Sequence, residues 1–494
     1  MALAKAHFGR TVLICTSMLV SVSACYAQSS NTPSSPVQTS GAIKEIIREA
    51  PQSQAEITMS FSPIVKETAP AVVNVYSSKV VRETVSPYAN DPFFQRFFGN
   101  QLGGMPRERI QSSLGSGVIV GEDGVIVTNN HVVEGADELK VVLSDRREYP
   151  AELVVADERT DLAVLKIDTG GEVLPKLEFA DTRQVEVGDL VLAIGNPFGV
   201  GQTVTTGIIS AQARTDVGVS DYAFFLQTDA AINPGNSGGA LVDSLGRLVG
   251  VNTAIFSRSG GSNGIGFAIP AEMVKRVVDA AVNEGRIVRP WLGLKGQAVN
   301  ADIAKSMGLT RPMGVLVTEI YPDSPAEQAG LKRGDLITTI DGREVFDERG
   351  LKFLAATLAP GDQTNLQFLR GGDNKSADVT LAPPPGATEA DLILLEGKHS
   401  PFTGAEVADL SPALADEMGR DPFSSGVLVN RVLRRSYAAQ FGLRPGDIIR
   451  EVNGETIETS DDLQDAIEKS AGQGSRWTVT IERNGRRITS NVRL

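Results

Sequence analysis

The sequence predicts a mainly β protein: one β-rich domain followed by two copies of a smaller module. Two observations carry this. From about residue 60 to 270 the chain is a series of short apolar runs split by Gly and Asp: SGVIV, GVIVTNN, LKVVL, DLAVLKI, DLVLAIG and GRLVGVNTAIF. Many short strands with turn signals between them belong to a barrel or a sandwich. The C-terminal part then repeats itself at a fixed offset of 112: GVLV at 314–317 recurs at 426–429, and Gly330, Gly334 and Gly342 recur as Gly442, Gly446 and Gly454. Glycines in fixed register mark a duplicated structural unit.

In chain order, the first element is a leader. Lys5 and Arg10 precede an apolar run from Thr11 to Ala24, and small residues follow in Ala24-Cys25-Tyr26-Ala27. A positive end, a short apolar core and a small-residue cut site make residues 1–27 a secretory signal, cleaved after Ala27. The run is too short to cross a bilayer, so no transmembrane anchor is expected. Val22-Ser23-Ala24-Cys25 offers an alternative, a lipoprotein-like box that would place a lipid on Cys25. The only cysteines, Cys15 and Cys25, both lie in this leader. The chain after Ala27 therefore carries no disulfide, no thiol nucleophile and no Cys-based metal site. Residues 28–59, Ser/Thr/Pro/Gln-rich at their start, form a flexible segment.

The β-rich domain occupies 60–286. Within it DPFFQRFFG, at 91–99, is either an exposed aromatic interface or a set of rings folded into the core. A helix closes the domain. Pro270 opens it, Met273, Val274, Val277, Val278, Ala281 and Val282 form one stripe, and Gly285 follows. Its expected role is packing alone. The first repeated module covers 287–382, a proline-rich stiff linker 383–397, and the second module 398–494. The register extends into a helical stripe, where Leu351, Leu354 and Ala355 correspond to Leu463, Ala466 and Ile467. With 41% hydrophobic and 22% charged residues the 494-residue chain can bury ordinary cores. A net charge of −13 disfavours nucleic acid and anionic membrane as partners.

The chemistry centres on NPGNSGGAL, residues 233–241. Ser237 needs a base to take its proton. The chain has three histidines: His7 leaves with the leader, His399 begins the second module, and His131 in TNNHVV shares the β-rich domain. G-N-S-G-G also spells the elbow of an α/β-hydrolase, but that fold needs alternating helices and the order Ser, acid, His. The order here is His131, acid, Ser237, that of the chymotrypsin arrangement. The acid should stand where a strand begins, and ERTDLAVLKI supplies Asp161; Asp157 and Asp168 are nearby competitors. Gly235 lets its own N–H and that of Ser237 converge on one spot, with Asn236 between them. Donors fixed there would stabilise a developing oxyanion, each worth about 3 kcal/mol. Gly238 and Gly239 are expected to leave room for a substrate main chain. A phosphate loop is excluded, because no G-x-x-x-x-G-K-[ST] pattern surrounds the serine. The chemistry requires no metal and no cofactor.

TNNHVV, TDLAVLKI and GNSGGAL, with GNPFG at 195–199 and GIGFAIP at 264–270, resemble the HtrA/Deg family of exported serine proteases over about residues 60–494. The resemblance implies a chymotrypsin-like double β-barrel followed by two α+β PDZ domains. It implies an ATP-independent, periplasmic endopeptidase that degrades misfolded exported proteins, acting as a homotrimer that can build larger cages. His131, Asp161 and Ser237 would be base, orienting acid and nucleophile. Thr253, Ala254 and Ile255 would pair with substrate, beside Gly235, Asn236 and Ile232. Ala231 stands where trypsin-like enzymes carry an acid, which implies an apolar pocket for small aliphatic side chains. PDZ domains capture C-terminal peptides as an added strand. In the first, Leu292, Gly293 and Leu294 would hold the carboxylate, with the groove between the strand carrying Val315 and Val317 and the helix from Leu351. In the second, Phe402-Thr403-Gly404-Ala405 is the candidate nest, and Thr403 replaces the usual apolar residue.

Overall fold

The computed structural model describes residues 60–85, 105–196, 201–214, 224–233, 235–255, 262–386, 392–397, 400–470 and 476–493. The leader 1–27, the segment 28–59, DPFFQRFFG and most of GNPFG lie outside the described residues. Among the described residues no helix is long and apolar enough to cross a membrane.

The short runs pair into two closed barrels. The first contains β1 (Val72–Val85), β2 (Met105–Gly121), β3 (Val125–Thr128), β4 (Glu138–Val142), β5 (Glu148–Asp157) and β6 (Leu162–Ile167), in the order β1-β2-β3-β6-β5-β4. The second contains β7 (Leu190–Gly195), β8 (Thr203–Arg214), β9 (Phe225–Thr228), β10 (Ala240–Asp243), β11 (Leu248–Ile255) and β12 (Gly266–Pro270), in the order β10-β11-β12-β9-β8-β7. Closure removes the unpaired edges that an open sheet would expose.

The apolar run of DLAVLKI is buried on both faces. Leu162, Ala163, Val164 and Leu165 are all fully buried. One face of β6 fills the barrel and the other is covered by the helix Ala271–Asn283, which also packs on β11 and β12. That helix therefore bridges both barrels. Pro270 stands at its N-cap and Gly285, at φ +67°, lies just beyond its end. Met273, Val274, Val277, Val278 and Ala281 are buried as expected, but Val282 is 58% exposed and falls outside the stripe. The helix is more than packing. Arg276, almost fully buried, donates to Leu358 O and Val288 O at 3.1 Å each, and Glu272 pairs with Arg343 at 2.7 Å. Both contacts tie it to the segment that follows the barrels.

The repeated modules are five- and six-stranded antiparallel sheets, each with one further short strand. The first runs β13 (Leu294–Ala298), β14 (Val315–Ile320), β15 (Leu336–Ile340), β17 (Gln363–Arg370), β18 (Asp373–Thr380), with β16 (Arg343–Glu344) on β15. The second runs β19 (Ile393–Leu394), β20 (Ala405–Asp409), β21 (Val427–Val432), β22 (Ile448–Val452), β24 (Arg476–Arg483), β25 (Arg486–Arg493), with β23 (Glu455–Thr456) on β22. The repeated Gly330, Gly334 and Gly342, and their counterparts Gly442, Gly446 and Gly454, all adopt positive φ. That conformation costs glycine nothing, which accounts for their fixed register. The aspartates after two of them match as well. Asp335 is 1% exposed and receives Arg370 Nε and Nη2 at 2.7 Å each. Asp447, also 1% exposed, receives Arg483 Nε at 2.6 Å and Nη2 at 2.7 Å.

The barrels and the first module share one continuous hydrophobic core. Phe224 stacks on Phe353 across that boundary, ring centres 4.4 Å apart. The second module has a separate core around Phe402 and Trp477.

Candidate active site

His131 lies on the single helical turn Asn130–Val133 that follows β3. Asp161 ends the tight turn between β5 and β6 at φ +56°, a left-handed conformation that few non-glycine residues adopt but that Asp tolerates. The two loops are tied to each other through main chain and side chain. Asp161 O accepts from Asn130 N–H at 3.1 Å and from Asn129 Nδ2 at 2.9 Å. The carboxylate then meets His131: Oδ1 and Oδ2 both lie 2.9 Å from Nδ1, and Oδ1 also accepts the His131 backbone N–H at 3.1 Å. Asp161 is 6% exposed, whereas half of the His131 side chain faces solvent. A buried carboxylate on Nδ1 holds the proton there and leaves Nε2 as the free base.

The competing acids are engaged elsewhere. Asp157 accepts from Thr160 Oγ1 at 2.6 Å and pairs with Arg289. Asp168 caps Gly170 N–H at 2.9 Å.

Two further residues complete the site, and neither was assigned these roles from the sequence. Thr253, buried in β11, donates its hydroxyl to Asp161 Oδ2 at 2.5 Å. Its carbonyl accepts from Ser237 Oγ at 3.2 Å. Among the described residues Ser237 Oγ makes that hydrogen bond and none to the His131 ring. Ser116, fully buried in β2, grips the serine loop from the opposite barrel. Its hydroxyl donates to Gly235 O at 2.6 Å and accepts from Asn196 N–H at 2.8 Å. Its N–H donates to Ser237 O at 2.8 Å. These bonds fix the peptide planes on both sides of the one that carries the Ser237 N–H.

Several expectations change. Asn236 N–H donates to Asn233 O at 3.0 Å, so it is spent inside the turn and is not a free oxyanion donor. The N–H groups of Gly235 and Ser237 make no hydrogen bond among the described residues, and Gly235 has φ +98°. Gly238 and Gly239 do not make room for substrate. A Cβ on Gly238 would fall on Ser116 O and Thr128 Oγ1, and one on Gly239 on Ile194 O. Gly238 sits where the first barrel closes on the serine loop, and Gly239 lies against β7 of its own barrel. Ile232 is 1% exposed and packs in the second barrel's core against Gly266 rather than standing at the surface. Ala254 and Ile255 pair with Phe267 and Gly266 of β12 on one side.

In the first repeated module Leu292, Leu294 and Leu351 line a cavity of about 350 Å³. Gly293 has φ +72°, and the N–H groups of Leu292 and Gly293 make no hydrogen bond among the described residues. The strand beside the helix Glu348–Ala356 is β13, the edge of the sheet. Val315 and Val317 belong to β14, one strand further in, and are buried in the core. The groove expectation therefore shifts by one strand, because only an edge can accept an added strand.

Comparison with known proteins follows the same division. Residues 115–251 match the trypsin-like peptidase domain, and residues 290–381 and 428–483 each match a PDZ domain. A protein of Ectopseudomonas mendocina named a probable periplasmic serine endoprotease, DegP-like, is 40% identical over 417 residues, covering 81% of this chain and 86% of that protein. One of the same name from Brucella suis is 39% identical over 478 residues, covering 90% of each chain. A variant of the HtrA-type protease AlgW, solved with a decapeptide, is 46% identical with a TM-score of 0.50, covering 66% of this chain and 98% of its own.

Proposed function

This chain belongs to the HtrA/Deg family of serine endoproteases, and on that premise we propose that it cuts unfolded exported proteins with a His131–Asp161–Ser237 triad and without ATP. The observation that carries the triad is the double contact of Asp161 with His131 Nδ1, both oxygens at 2.9 Å. In catalysis His131 Nε2 takes the Ser237 proton as Oγ attacks the scissile carbonyl. Thr253 steadies the carboxylate that stabilises the imidazolium. Gly235 and Ser237 N–H groups receive the oxyanion. For the attack, Ser237 Oγ gives up its hydrogen bond to Thr253 O and passes its proton to His131 Nε2.

An apolar primary pocket is inferred from Ala231, which stands where trypsin-like enzymes carry an acid. Cleavage maps of an unfolded substrate should show cuts after Val or Ala; cuts dominated by Lys or Arg refute that pocket. The leader and the relatives' names support the periplasm as the location. A homotrimer, with larger cages built from it, is the assembly implied by the family resemblance.

Capture of C-terminal peptides is assigned to the first PDZ domain. Solved HtrA-type relatives carry bound peptides, and the N–H groups of Leu292 and Gly293 make no hydrogen bond among the described residues. Casein degradation by purified protein tests the whole reading. Ser237→Ala should abolish it, a loss of at least about a thousandfold. Survival of the activity overturns the triad. A wild type that suppresses aggregation but never cuts would favour a chaperone instead.

A further inference from the structure

The turn between β5 and β6 supplies Asp161, and two other parts of the chain grip it. Asp157 pairs with Arg289, in the segment that enters the first PDZ domain, and accepts Arg159 N–H at 3.2 Å. Arg159 reaches the second PDZ domain. Its guanidinium donates to Asp416 Oδ2 at 2.9 Å, to Oδ1 at 3.0 Å and to Asp416 O at 2.7 Å, on the helix Pro412–Glu417. The two side chains are only 19% and 20% exposed. A fork-to-carboxylate contact out of bulk water fixes direction as well as distance.

Arg159 stands two residues before Asp161, and Asp161 N–H donates back to Glu158 O at 3.3 Å. A displacement of Arg159 is therefore passed on within one turn. Asp161 keeps its φ of +56° inside this turn, a conformation that Asp tolerates. We propose that Asp416 is a positioning residue for catalysis: acting through Arg159, the second PDZ domain holds the turn that aims Asp161 at His131. The same ion pair lines the 350 Å³ groove beside Leu294 and Leu351, so a peptide captured there meets the contact that steadies the acid. The inference rests on the triad reading.

The test uses full-length protein and a short peptide substrate with an amidated C-terminus, which cannot use a carboxylate nest. Asp416→Asn keeps the shape of the side chain and removes its charge. It should lower kcat about tenfold with KM unchanged, since misplacing a catalytic group acts on turnover rather than on binding. Arg159→Gln should do the same, and the double variant should be no slower than either single one. Asp416→Glu, which restores the carboxylate, should recover most of the rate. Circular dichroism should match the wild type throughout. Wild-type kcat in Asp416→Asn, losses that multiply in the double variant, or no recovery in Asp416→Glu overturns the proposal. Ser237→Ala and Asp161→Asn run alongside. If they remain active, the triad has failed; if they are inactive while Asp416→Asn is at full rate, only this inference has failed.

Discussion

The two PDZ domains share a frame and differ at the place where a peptide would enter. In both, a positive-φ glycine turns the chain against a serine that caps the next helical segment: Gly293 against Ser324, and Gly404 against Ser436. In the first domain the N–H groups of Leu292 and Gly293 make no hydrogen bond among the described residues, and β13 is a sheet edge. In the second, Thr403 N–H donates to Ser400 O, Gly404 N–H to Leu395 O and Ala405 N–H to Phe402 O. The linker strand β19 pairs along β20, with Ile393 opposite Val407. Leu395 is buried in the core. In the second domain the preceding chain thus pairs along the strand that corresponds to β13 and takes up the Gly404 N–H. The two copies share a scaffold, and the linker makes them differ at the nest.

The largest expected effect tests the shared frame. Asp335→Ala and Asp447→Ala each remove a buried carboxylate that accepts from an arginine and from a main-chain N–H, and should cost about 2–4 kcal/mol. They should differ in what melts. The first domain shares its core with the barrels, so Asp335→Ala should lower the barrel transition in calorimetry. Asp447→Ala should lower only a transition of the second domain. One common transition in both variants would break the distinction. Gly293→Ala and Gly404→Ala come next, each costing about 1–3 kcal/mol for a side chain forced into positive φ. Calorimetric titration should give one C-terminal peptide per wild-type chain, lost in Gly293→Ala and kept in Gly404→Ala. A stoichiometry of two would show that the second nest is open. The smallest effect concerns Lys295, whose ammonium is held above the ordinary lysine value by its hydrogen bond to Asp421. Both side chains are about two-fifths exposed, so Lys295→Gln should change stability by less than about 1 kcal/mol in urea unfolding.

These contrasts also separate what the sequence made legible from what it did not. Turn glycines and a scarce histidine are readable because each answers a local or a counting question. Gly330 and Gly442 must be glycine whatever surrounds them, and His131 has no rival in its domain. Thr253 and Ser116 are ordinary residues in apolar strands. Their roles arise only when barrel closure brings them to Asp161, 92 residues away in sequence, and to Gly235, 119 away. Strand periodicity likewise says nothing about which strand ends a sheet, so the groove was placed at Val315 instead of β13. Gly238 and Gly239 do demand space, but main chain takes it: Ser116 O of the first barrel at Gly238 and Ile194 O of the second at Gly239. Val282 follows the helical spacing and still faces water, because the stripe rotates past the edge of the barrels before the helix ends.

The left-handed turn at Asp161 also bears on how such an enzyme can lose its activity over generations. Among the amino acids one base change away from an aspartate codon, only asparagine and glycine accept that backbone without strain. Both remove the carboxylate and keep the fold of the turn, and with it the grip of the PDZ domains. On the proposed triad, the gentlest mutational exit from proteolysis would keep this turn, and with it both PDZ domains.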